Sequence, residues 1–272
     1  MQSREKAGAV HMEKKVVLTG HRGDMARTPE NTIPSFLSAV ELGVDMIETD
    51  VHMSADGVLF LMHDDFVDRT TDGTGPTHLK TWEELRALDA GGWFSPSFAG
   101  TRIPTLEEFL QIVVDHPQLQ VDWEIKDYIR DAGEKHAYTC AEKLVEALKA
   151  AGVTGRSTLN SFSSPVLEHA WEASGRSMDV LGQGYGPTNK MFGEKKLDPR
   201  EYWTWACLYA RKGVEFIEED LYRLAIMDGF RTCVCIPDDE ELYRQAVSFG
   251  CEQFTSNDPE KGTAILKKLN LR

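Results

Sequence analysis

The chain predicts an α/β fold, a (β/α)₈ TIM barrel with a small insertion after the second strand, and three observations predict it. Short apolar, β-branched runs alternate with segments of helical spacing, and the alternation repeats eight times in 272 residues. Charged residues gather at the ends of the first three runs, where a barrel of this kind builds its site. No GxGxxG follows a strand, which removes the main reason to prefer an open doubly wound sheet.

The elements follow in order. Val16-Val17-Leu18 forms the first strand and runs into Thr19-Gly20-His21. Ile33, Phe36, Leu37 and Val40 share a helix face, with Asn31 or Thr32 as cap, Pro34 in the first turn and Gly43 at the end. Val44–Val51 is the second strand, and the Ala55-Asp56-Gly57 turn leads into a short hairpin strand over Val58–Met62. Residues 65–104, rich in Gly and Pro with one helical piece over Thr81–Leu88, form the insertion. Alternation resumes with a helix over 106–114, a strand over Leu119–Lys126, a helix over 136–150, a strand over 157–160 and a helix over 164–173. Met178–Gly182 is the fifth barrel strand, and an aromatic helix is expected over Tyr202–Tyr209. The sixth strand is expected at Val214–Ile217, the seventh at Thr232–Ile236 and the eighth at Glu252–Thr255, with helices over 221–227, 238–249 and 259–269. Residues 16–272 read as one catalytic domain, and residues 1–15 as a flexible lead-in.

Composition narrows the function. A formal net charge of -14 excludes the basic stripes that nucleic acid requires. No apolar run approaches the roughly 18 residues of a membrane span, and the N-terminus has no apolar signal core, so a cytoplasmic protein is expected. Five cysteines without a CxxC read as buried reduced thiols. The composition leaves oligomeric state open.

The chemistry concentrates between His21 and Asp64. Glu48 and Asp50 alternate along one strand and so share a face; Glu124 and Lys126 do the same on the next. Carboxylates packed about 4 Å apart repel by about 4 kcal/mol at an effective dielectric near 20, so Glu48, Asp50 and Glu124 call for a cation. Oxygen donors without Cys favour Mg²⁺ or Ca²⁺, with Mn²⁺ a third candidate. The competing reading is a salt-bridge network with Arg22 and Lys126. His21 and His63 suit a general acid and base, Arg22 and Lys126 suit phosphate oxygens, and Asp64 either orients a histidine or caps the insertion. His52 shares the face of Asp50 and is a minor candidate. Glu218-Glu219-Asp220 reads as a solvated loop and Asp238-Asp239-Glu240-Glu241 as a helix start.

These residues carry a resemblance. HRG…PENT…GVDMIETDVHMSADGVLFLMHDD…RTTDGTG, the ExK pair in DWEIKD and the closing TSNDP resemble the glycerophosphodiester phosphodiesterases from about Val16 to the C-terminus, most specifically in the first half. The resemblance implies a (β/α)₈ barrel with an insertion after the second strand. It implies His21 and His63 as acid/base pair, Glu48, Asp50 and Glu124 as divalent metal ligands, and Arg22 and Lys126 as phosphate binders. The implied reaction converts a small-molecule glycerophosphodiester to glycerol 3-phosphate and an alcohol, with water or a neighbouring glycerol hydroxyl as attacker. Where that family usually carries a tryptophan-containing WTVN-like run, this chain reads CVCIPDD. Phe162, Tyr185 and Trp203 are therefore candidates for the aromatic pocket wall. The runner-up is a phosphodiesterase acting on a lysophospholipid or sugar phosphodiester by way of a cyclic phosphate. A non-catalytic phosphate-binding barrel is the alternative of another class, which two histidines beside three acids argue against.

Overall fold

The acids of the second predicted strand stand on β2 (Met46–Met53), and the rest of the sheet is laid out around it. The structure, a computed structural model, describes residues 16–209, 218–237 and 239–272. β2 lies between β1 (Val17–His21) and β4 (Gln120–Ile125), parallel to both. Beyond β4 follow β5 (Ser157–Asn160), β6 (Asp179–Gln183), β7 (Trp205–Tyr209), β8 (Arg231–Cys235) and β9 (Gln253–Ser256). β9 pairs with β1, which closes eight parallel strands into the expected barrel. A closed sheet leaves no edge to be capped.

The remaining short strand, β3 (Leu59–Leu61), is antiparallel to β2. β1 pairs with Met46–Glu48 of β2, and β3 pairs with Val51–Met53. β3 thus takes over the same edge of β2 where β1 ends, and it carries the chain back to the rim at His63.

Helices cover the outside. α1 (Ile33–Glu41) starts at Thr32 with Pro34 in its first turn and ends before Gly43, as expected, although Thr32 makes no side-chain cap. After β3, the insertion holds α2 (Trp82–Ala87), whose Thr81 and Glu84 form a reciprocal capping box. Phe60, Met62, Val67, Leu85, Ala90 and Ile103 give this region its own small core. Full burial of Leu85 alone contributes about 2 kcal/mol. α3 (Leu106–Asp115) opens on a second capping box, Thr105 with Glu108. Past the one-turn α4 (Ile129–Ala132), α5 (Glu134–Ala150) buries Ala137, Cys140, Ala141, Leu144, Val145 and Leu148, a stripe at helical spacing. α6 (Ser164–Ala173), α7 (Pro199–Tyr202), α8 (Glu219–Met227), α9 (Glu240–Ser248) and α10 (Pro259–Lys268) complete the ring. Asp239 caps α9 by accepting from the Leu242 N–H at 3.0 Å.

One expected element is corrected. The helix predicted over 202–209 is β7, the sixth barrel strand, preceded only by the single turn of α7. Trp205-Ala-Cys-Leu-Tyr is buried on both faces of the sheet over its first four residues, so it shows no alternation and reads equally as a buried helix. The expected strand at Val214–Ile217 and the lead-in over 1–15 lie outside the described residues. Trp203, next to β7, packs over Gly182, where a Cβ would sit 2.2 Å from the indole ring.

Candidate active site

Alternation along β1, β2 and β4 decides what faces the barrel mouth. The β2–β4 register sets Glu48 beside Asp122 and Asp50 beside Glu124, and the β1–β2 register sets His21 beside Glu48. Ligand oxygens of Glu48, Asp50 and Glu124 lie within 4.8 Å of one another, and all three residues are buried. The sequence-predicted trio therefore converges.

Two cations share this pocket. Lys126 Nζ donates to Glu124 Oε1 at 2.5 Å and sits 3.2 Å from Asp50 Oδ1. Arg22 donates from Nη1 to Glu30 Oε1 at 2.7 Å, and its Nε is 3.4 Å from Asp50 Oδ2. The salt-bridge reading is thus realised around Asp50 and Glu124, and Lys126 and Arg22 hold Asp50 well below the usual carboxylate range despite its burial. Glu48 is different. Its Oε2 accepts from the Arg22 backbone N–H at 2.9 Å, while Oε1 is buried with no hydrogen-bond partner. Burial, with Asp50 and Glu124 beside it, pushes Glu48 well up. An orphaned carboxylate oxygen in a three-acid cluster is the arrangement that a hard divalent cation completes, so the residues fit such an ion.

The approach to Glu48 requires an unusual backbone. Arg22 has φ +54 and Gly23 φ +85, and a Cβ on Gly23 would lie 2.4 Å from Ser35 Oγ. Asn31, also at φ +54, turns inward. Its Nδ2 donates to Asp50 Oδ2 at 2.7 Å, while its Oδ1 accepts from Thr49 Oγ1 at 2.8 Å and the Asp50 N–H at 3.3 Å. The residue read as a helix cap is a clamp on Asp50.

Each histidine is fixed through Nδ1. His21 Nδ1 lies 2.5 Å from Asn257 Oδ1, in the turn after β9, and its Nε2 is 3.8 Å from Glu48 Oε2. An amide oxygen only accepts, so Nδ1 carries the proton and Nε2 is the basic nitrogen. Burial, then Arg22, lowers the His21 pKa to about 4, which keeps the ring neutral at pH 7. His63 Nδ1 lies 2.6 Å from Asp64 Oδ1, and Arg69 of the insertion binds both Asp64 and Glu30. Asp64 thus orients a histidine, one of the two roles considered for it. His52 is taken up elsewhere: its Nδ1 lies 2.7 Å from Asp127 Oδ1, and it does not line the cleft.

The cleft, with about 590 Å³ of open space, is lined by His21, Arg22, Glu48, His63, Glu124 and Lys126. Phe162 is also there, its ring centroid 5.7 Å from Lys126 Nζ. Tyr185 and Trp203 are not. Tyr185 bonds Asp228 and packs on Phe230 and Trp203, and Trp203 is a buried core residue, so neither forms the expected aromatic wall. Tyr209 lies there instead, beside residues that sequence reasoning missed: Asp122, Asn160, Gln183 and Cys235. Tyr209 OH donates to Gln183 Oε1, Gln183 Nε2 to Asn160 Oδ1 at 2.6 Å, and Asn160 Nδ2 to Asp122 Oδ2 at 3.4 Å. Asn160, Gln183 and Tyr209 are each the last residue of a barrel strand, a signal present in the sequence once the strands are placed.

The profile of the Glycerophosphoryl diester phosphodiesterase family matches residues 21–199. The glycerophosphodiester phosphodiesterase of Caldanaerobacter subterraneus subsp. tengcongensis is 43% identical over 149 residues, covering 55% of this chain and 59% of that protein. Human glycerophosphodiester phosphodiesterase 1 is 34% identical over 122 residues, 44% of this chain and 37% of that one. The aligned part thus spans less than two thirds of either relative. An Oleispira antarctica phosphodiesterase, solved in complex with the product sn-glycerol-3-phosphate, is similar in structure with a TM-score of 0.80, at 23% identity over 93% of this chain and 97% of that one. That likeness speaks to the fold.

Proposed function

The chain belongs to the glycerophosphoryl diester phosphodiesterase family, and from that premise we propose that it hydrolyses small-molecule glycerophosphodiesters to glycerol 3-phosphate and an alcohol by metal-dependent His acid/base catalysis. Residues 16–272 act as one catalytic domain, working in the cytoplasm. The observation that carries this reading is one cleft holding two histidines, each with Nδ1 engaged, beside an acidic trio with an orphaned oxygen.

Each residue has a role. His21 is the base: neutral, with Nε2 unprotonated, it takes the proton of the attacking hydroxyl. His63 is the acid, giving a proton to the departing alkoxide while Asp64 keeps the ring in place. Arg22 and Lys126 face the phosphate oxygens, and Phe162 supplies an apolar wall for the glycerol carbons. Glu48, Asp50 and Glu124 would hold a divalent ion, Mg²⁺, Ca²⁺ or Mn²⁺, which supplies charge neutralisation for the phosphoryl group.

The test is a product assay. The protein is incubated with a panel of glycerophosphodiesters, with and without a chelator, while glycerol 3-phosphate and cyclic phosphate are followed. Turnover should be lost on chelation, and His21→Ala should lower kcat by about 10²–10⁴-fold. Turnover that survives both changes refutes the mechanism, and none on any diester favours a binding barrel.

A further inference from the structure

The wall of the barrel facing the carboxylates is lined with sulfur. β7 and β8 stand across the eight-strand ring from β2 and β4. Cys207 on β7 is in register with Cys233 on β8, and Cys235 follows two residues later on the same face. The three Sγ atoms lie within 4.8 Å of one another, with Cys233 Sγ and Cys235 Sγ 3.8 Å apart. None is in a disulfide. Cys207 and Cys233 are buried, whereas Cys235 is partly exposed and lines the cleft near His21.

Geometry and chemistry agree on a class of ligand. Zinc–thiolate bonds of about 2.3 Å at a tetrahedral angle place sulfur atoms about 3.8 Å apart. The Cys233–Cys235 separation already meets that, and the trio as a whole needs to contract by about 1 Å or less. Thiolates select soft ions and discriminate against the Mg²⁺ and Ca²⁺ that carboxylates prefer. Cys235 gives such an ion access from the cleft, whose water can complete the shell.

We propose that Cys207, Cys233 and Cys235 form a second cation site, one that takes a thiophilic closed-shell ion of the zinc, cadmium and copper(I) class. It is separate from the carboxylate trio and shares its cleft. On binding, each thiol surrenders its proton to solvent as its sulfur–metal bond forms, so no oxidant or reductant is involved.

Cadmium is the probe. The reduced full chain, in excess Mg²⁺, is titrated with Cd²⁺ while near-ultraviolet thiolate-to-metal absorbance and native mass are recorded. One Cd²⁺ per chain should bind with a thiolate band, and Zn²⁺ should displace it. Cys233→Ser should weaken binding by about tenfold or more, and Glu48→Gln should leave the band intact. In the unmutated chain, Cd²⁺ should protect Cys235 from alkylation, a reading that does not depend on a variant folding. Absence of the band, a band unchanged in Cys233→Ser or lost in Glu48→Gln, or alkylation of Cys235 at its metal-free rate would overturn the proposal.

Discussion

Replacing Asn31 tests how the site is held independently of what it catalyses. In Asn31→Ala the charge-assisted bond to Asp50 Oδ2 goes, and the Thr49 hydroxyl and the Asp50 N–H lose their shared acceptor in a buried place. A bond to a carboxylate contributes about 1.5–3 kcal/mol, and each stranded neutral group costs about 1 kcal/mol or more. Alanine at φ +54 adds roughly 1 kcal/mol of backbone strain that glycine does not suffer. Asn31→Ala should therefore destabilise the fold by about 5 kcal/mol, and Asn31→Gly by about 1 kcal/mol less. Urea unfolding followed by both tryptophan fluorescence and circular dichroism measures the difference, provided the two probes coincide. A loss below about 1 kcal/mol for Asn31→Ala, or a glycine variant weaker than the alanine one, would refute the clamp.

His21 should keep a neutral imidazole with its proton on Nδ1 as pH falls through 6.5, and protonate only near the lowered value of about 4; long-range ¹⁵N spectra, assigned with His21→Gln, report both tautomer and midpoint. In the proposed mechanism the neutral form acts as base, so the contribution of His21 to turnover should vanish only as pH approaches that value. Asp64→Asn, which leaves the shape of the His63 contact but not its charge, should cut kcat by about tenfold or more with KM little changed, as initial-rate kinetics would reveal. Lys126→Met removes the ammonium that competes for Glu124 and Asp50, so divalent ions should bind more tightly, by about tenfold or more in calorimetry, while KM for the diester rises.

Legibility from sequence varied along the barrel for physical reasons. The first half was readable because its strands end in charge: His21, Glu48, Asp50, Glu124 and Lys126 interrupt apolar runs, and period-two alternation puts the acids on one face. The strand of Lys126, the hairpin and the long α5 stripe were placed within a few residues. β7 was not. A strand buried on both faces loses its alternation, and three aromatics within seven residues suggested a packed helix. Tyr209 was legible as an aromatic that could line a pocket, but that error hid its place at a strand end and its link to Gln183, because a polar group at a strand end is informative only when the strand is known. Tyr185 and Trp203 were plausible by type alone, but Gly182 draws the indole into the core. The partners of the histidines differ in the same way: Asp64 adjoins His63, whereas Asn257 is 236 residues from His21.

That last distance bears on how the protein is made. The first strand leaves a ribosome long before the turn that orients its histidine exists, and the two meet only when β9 docks on β1. Two further clasps, Arg27 to Asp258 and Glu260, and Arg272 to Asp45, join the same ends of the chain. Until that docking, His21 lacks the Asn257 partner of its Nδ1. With His21 as the proposed base, recovery of turnover should follow ring closure, and its time course would serve as a clock for that docking step.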